Sequence, residues 1–99
     1  MIRHIVLWKL KPEGEAAFER IKQILVSQKQ KVPGLLSVEV GRNFTQNRRA
    51  VDFALVMDFE SAEALAAYHK HPAHLATRAV VDPLAAEHWI ADYDLTKAS

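Results

Sequence analysis

Ninety-nine residues make one domain, 1–99, and about half of the side chains are apolar, enough for a core. Thirteen basic against twelve acidic side chains leave almost no net field, which argues against nucleic acid or an anionic membrane as partner. No cysteine is present, so disulfides, thiolate nucleophiles and zinc–thiolate sites are excluded. The N-terminus has neither a long apolar h-region nor a small-residue cleavage site. No apolar run approaches the roughly 20 residues of a membrane span. The expected location is the cytoplasm.

Ile2 to Leu10 reads as a strand. Ile2, His4, Val6, Trp8 and Leu10 share one face; Arg3, Ile5, Leu7 and Lys9 share the other. Both faces are apolar at the centre, so burial on both sides is expected, His4 included. Pro12 stops the strand. From Glu13 to about Lys31 the period turns helical, with Phe18, Ile21, Leu25 and Val32 on one stripe and Ala17, Ile24 and Gln28 beside it. Acids open this helix, bases close it, and Pro33-Gly34 ends it. Leu35 to Phe44 is a second strand and Thr45 to Arg49 a polar hairpin loop. Val51 to Phe59 is a third strand, with Val51, Phe53, Leu55, Met57 and Phe59 on one face.

Ser61 is the expected N-cap of a short alanine-rich helix that carries Ala64, Leu65 and Tyr68 toward the sheet. Pro72 ends that helix and starts another, which carries His74, Leu75 and Arg78. Asp82-Pro83 breaks it. His88 to Leu95 is the last strand, with Trp89, Ala91, Tyr93 and Leu95 on one face. Thr96 to Ser99 is expected to fray.

The order β-α-β-β-α-β predicts an α+β, ferredoxin-like fold: a four-stranded antiparallel sheet with its helices on one face. The other face, around Ile5 and Leu7, is too apolar for water. A second copy packed sheet to sheet is the simplest cover, so a homodimer is expected.

The chemistry concentrates between Tyr68 and His74, where three of the five histidines fall within six residues. A bend between two short helices can aim Tyr68 and His74 into one cavity. An imidazole can then take a proton while a phenol donates to a developing oxyanion. The alternative is a packed tyrosine and a capping or solvated histidine. His69, His71 and His74 also suggest a metal. Pro72 interrupts the run, however, so no helical i, i+4 pair forms, and no metal is expected. His71 then reads as a hinge or cap, and His69 has no assigned role. His4 either faces the same cavity or is a core histidine bonded to backbone. Asp92 either orients a histidine or is a solvated edge residue. Arg42, Phe44, Arg48 and Arg49 surround one hairpin, a patch too small to predict nucleic-acid binding.

Several segments together resemble one family. His4-Ile5-Val6-Leu7-Trp8-Lys9-Leu10-Lys11 is similar to the opening strand of the stress-responsive A/B barrel (Dabb) domains. Pro33-Gly34 with Gly41, Phe59-Glu60-Ser61 leading to Tyr68, His71-Pro72-Ala73-His74, and Asp92-Tyr93 resemble its later segments. The resemblance implies a dimeric α+β barrel of two ferredoxin-like units, each with a cleft between helices and sheet, and a link to stress. Most bacterial members have no assigned reaction. A plant relative, olivetolic acid cyclase, closes a linear polyketide by an aldol step without a cofactor. By that resemblance Tyr68 and His74 are the acid–base pair, His4 and Asp92 support them, and Asp92 orients His74. Two expectations follow: a domain that binds a small organic ligand, or a cofactor-free cyclase, isomerase or monooxygenase-like enzyme on a polyketide-like carbonyl compound.

Overall fold

The computed structural model describes residues 1–96. Four strands are present: β1 (Ile2–Leu10), β2 (Leu35–Arg42), β3 (Phe53–Phe59) and β4 (Ala85–Asp94). Four helices accompany them: α1 (Pro12–Ala16), α2 (Phe18–Ser27), α3 (Ala62–Lys70) and α4 (Pro72–Val81). Single 3-10 turns follow α2 (Gln28–Gln30) and α4 (Asp82–Leu84). The sheet order is β2-β3-β1-β4 with every neighbour antiparallel, which is the ferredoxin-like arrangement expected from the element order. No described helix is long and apolar enough to cross a membrane.

The molecule is a slab 16 Å thick, one helix layer on one sheet. Register decides which side chains meet between them. Val6 lies opposite Leu55 on β3 and Ile90 on β4; Trp8 lies opposite Phe53 and His88. Paired residues share a face, so this row looks toward the helices. Phe18, Ile21 and Leu25 of α2 and Leu65 and Tyr68 of α3 close over it, and Trp8 stacks on Phe53 with ring centroids 4.8 Å apart. Burying each large apolar side chain here contributes about 1.5–3 kcal/mol.

Among the described residues nothing covers the opposite row. Ile5 and Leu7 are flanked by Val56, Ala54, Ala91 and Trp89. Trp89 and Tyr93 are nearly half exposed. At one end Arg3 holds Asp58 with two hydrogen bonds of 2.9 and 3.0 Å. That contact keeps the Asp58 carboxyl below its usual pKa range.

Several boundaries differ from the sequence reading. The helix expected as one piece from Glu13 divides at Ala17. Its first turn is pinned to the strand end: Lys11 N–H donates to the Leu84 carbonyl at 2.8 Å. A Cβ on Gly14 would lie 2.5 Å from that same oxygen, so α1 docks there while α2 takes its own line across the sheet. Strand β2 ends at Arg42, two residues early, because Arg42 turns to pair with Glu15 and lies 4.7 Å over the Phe18 ring. Strand β3 starts late, at Phe53, since Asp52 caps the Leu10 N–H with a 2.6 Å bond. Strand β4 begins at Ala85, three residues before the expected His88. The fraying expected for Thr96–Ser99 falls, from Lys97 onward, outside the described residues.

Candidate functional site

Ser61 caps α3 as expected, its hydroxyl oxygen accepting the Ala64 N–H at 3.1 Å. The helix then runs to Lys70 and stops before Pro72. His71 takes an extended backbone, φ −70° and ψ 138°, as a residue before proline must. It also caps α4: its Nδ1 accepts the Ala73 N–H at 3.0 Å, and its carbonyl receives the N–H groups of His74 and Leu75. Pro72 fills the first helical position, where no N–H is needed. The cap expected of either His71 or His74 therefore belongs to His71, and His74 is free to face inward.

The bend brings the two proposed groups together. The Tyr68 and His74 rings lie 4.3 Å apart, centroid to centroid, at 48°. Both line one cavity of about 150 Å³ between sheet and helices. Its deep walls are apolar, from Val6, Trp8, Leu25, Leu55 and Val81. Its polar groups are His4, His69, Thr77, Arg78, Asp82 and His88. A cavity of this volume takes about one benzene-sized ring.

His4 is 3 % exposed and shares this space, its ring 6.2 Å from that of Tyr68. It is not the backbone-bonded core histidine considered from sequence. Its Nδ1–H donates to Asp92 Oδ1 at 2.5 Å, across the β1–β4 pair that aligns the two residues. The carboxylate fixes the tautomer and leaves Nε2 for the cavity. The same bond corrects the role implied for Asp92: its hydrogen-bond partner is His4, not His74.

Burial sets the two central pKa values apart. It pushes the Tyr68 phenol up to about 12, against a lowering contact from the Gln28 amide. It pushes His74 down to about 4, helped by the nearby His69, Arg78 and His4. At neutral pH the site therefore holds a protonated phenol beside an uncharged imidazole. His74 Nδ1 is enclosed and has no hydrogen-bond partner among the described residues.

Sequence reasoning missed other residues of the cavity. His69, set aside there, has its ring 5.7 Å from those of Tyr68 and His74 and 5.9 Å from His4. Arg78 and Asp82, one helical turn apart, join in a 3.0 Å ion pair at the cavity wall. His88 faces Trp8 across the β1–β4 pair. The signal for His88 was present in the alternation, since His88, Ile90 and Asp92 form the row opposite Trp89 and Tyr93. Among the described residues no group of three or more His, Asp or Glu side chains is placed to hold a metal ion.

No curated protein matches the sequence. Solved structures do match. A protein from Arabidopsis thaliana aligns with TM-score 0.88 at 20% identity, over 100% of this chain and 99% of that one. A dimeric ferredoxin-like protein of unknown function from Thermobifida fusca aligns with TM-score 0.79 at 26% identity, over 95% and 90%. The hydroxynitrile lyase of Passiflora edulis aligns with TM-score 0.82 at 15% identity, over 93% and 90%. The family model of the stress-responsive A/B barrel domain matches residues 2–95, and the chain belongs to that Dabb family.

Proposed function

We propose that the chain is a homodimeric, cytoplasmic enzyme that performs cofactor-free acid–base chemistry on a small carbonyl compound. The observation that carries this reading is the pairing of Tyr68 and His74 on one cavity, rings 4.3 Å apart. His74 Nε2 takes a proton from the carbon next to the carbonyl. The electron pair left behind moves onto the carbonyl oxygen, which the Tyr68 hydroxyl meets as a hydrogen-bond donor. The imidazolium then returns its proton to the product carbon or oxygen. An imidazole with a depressed pKa is a weak base, but the oxyanion forming beside it favours its charged form. The His4–Asp92 pair supplies a second oriented imidazole. The use of this fold by the hydroxynitrile lyase of Passiflora edulis is consistent with lyase chemistry.

The uncovered apolar face of the sheet and the dimeric Thermobifida relative support a homodimer closed sheet to sheet into a barrel. A second reading, binding without turnover, is favoured by the apolar walls of the cavity. A thermal-shift screen with single-ring aryl ketones on wild type and His74→Ala separates the two. The enzyme reading expects binding in both proteins and turnover in wild type alone. Binding without turnover in wild type supports the second.

A further inference from the structure

Proton exchange with solvent is the step that the enclosed pair does not provide for itself. Tyr68 and His4 are buried and His74 is half-buried, and all three line the same cavity. A ring-sized ligand in that cavity displaces the water that would otherwise carry protons in and out. His69 differs from these groups in one respect: it lines the cavity and is also exposed. Its place follows from the helix. Tyr68 and His69 are consecutive in the last turn of α3, and consecutive helical side chains point about 100° apart. Tyr68 goes into the core, so His69 is left at the rim. There its ring lies 5.7 Å from that of Tyr68, 5.7 Å from His74 and 5.9 Å from His4, centroid to centroid. Groups at such separations pass a proton directly or through one water. The remaining imidazoles do not share this position. His71 is occupied as the cap of α4, its Nδ1 on the Ala73 N–H. His88 is exposed and lines the cavity, but it pairs with Trp8, four residues along β1 from His4, a separation of about 13 Å.

We propose that His69 is a proton shuttle: it carries the proton taken up by His74 out to solvent, and brings one back, at the rim of the cavity. The C–H bond next to the carbonyl breaks, its electron pair moves to the carbonyl oxygen, and the proton moves to His74. His69 takes that proton on one ring nitrogen and releases the proton of the other to water. It is then neutral again, in the alternate tautomer. A rotation of the exposed side chain resets it without disturbing the core. Delivery of a proton from solvent runs the same path in reverse. Without the shuttle, the proton on His74 falls back on the carbon it came from, and the bound ligand reacts without exchanging with solvent. The inference deepens the acid–base reading above and rests on His74 being the base.

The test follows deuterium entering a single-ring aryl methyl ketone next to its carbonyl, in D2O with dilute, bulky buffer, above the rate of the same solution without protein. His69→Gln keeps a polar side chain on the exposed turn and His69→Ala removes it; thermal melts check that both fold. Wild type should exchange at a rate independent of added imidazole. Both variants, at saturating ketone, should exchange about 10-fold or more slowly. Added imidazole should restore much of their rate, with saturation, because a free imidazole at the vacated rim can carry the proton. A residue that merely shaped the site would not be replaced by imidazole in solution. A wild-type rate that climbs with imidazole overturns the proposal without any variant, since an internal shuttle leaves the buffer nothing to add. Variants that exchange at the wild-type rate, or that are slow and not restored by imidazole, overturn it as well. Those results leave the enzyme reading standing. No exchange in a wild type that binds the ketone overturns both, so the two failures are distinct.

Discussion

Tyr68 and His74 face each other across a helix break, rings 4.3 Å apart, because His71 ends one helix and caps the next. Nothing in either helix alone would bring them together. The cap is therefore the joint on which the site depends. His71→Ala removes the acceptor for the Ala73 N–H, and a loss of about 1 kcal/mol is expected. For a domain this small that lowers Tm by roughly 4–8 °C. His71→Asn supplies another side-chain acceptor and should recover most of the loss. Thermal and urea melts of the three proteins check this.

The depressed pKa of His74 makes stability depend on acid. Burial holds His74 at about 4 in the folded chain, against the 6.5 usual for a histidine. Between those values the unfolded chain binds more protons than the folded one, so stability rises with pH there and is lost as pH falls from 6.5 toward 4. After allowing for partial solvent screening, the loss is on the order of 2 kcal/mol. Asp58, with its lowered pKa, adds its own loss only below about the usual carboxylate value near 3.9. Urea melts at pH 7.5 and 4.5 on wild type and His74→Leu isolate the histidine. Wild type should lose more stability between the two pH values than the variant. Direct NMR titration of the imidazole should find His74 ionising well below an ordinary histidine.

The open face of the sheet carries the dimer prediction. Leu7 and Trp89 are directly paired at the centre of that face, and Trp89 is 47 % exposed. Light scattering should give wild type as a dimer at micromolar concentration. Trp89→Glu places a charge in the sheet-to-sheet contact and should give a folded monomer, with its cavity on the other face intact. A stable wild-type monomer contradicts the dimer.

The elements were legible because their periods are clean. The alternation of Val6 and Trp8 or Phe53 to Phe59 sets face and register. Pro12, Pro33-Gly34, Ser61 and Pro72 punctuate the chain locally. The Tyr68–His74 pairing was legible for the same reason, since Pro72 forces the bend. Contacts between distant elements were not. The break at Ala17 depends on the Leu84 carbonyl, far along the chain. Asp92 binds His4 because β4 lies beside β1, and a strand pattern does not name its neighbour.

The most direct test of the account is solvent exchange at carbon. Single-ring aryl methyl ketones are incubated with the protein in D2O, and loss of the protons next to the carbonyl is followed by 1H NMR. The account predicts saturable exchange above the buffer rate in wild type. It predicts a fall of about 10²-fold or more in His74→Ala, where the base is gone. A similar loss is expected in Tyr68→Phe, where the oxyanion donor is gone. Exchange at the buffer rate in a wild-type protein that demonstrably binds the ketone, or exchange unchanged by either substitution, contradicts it.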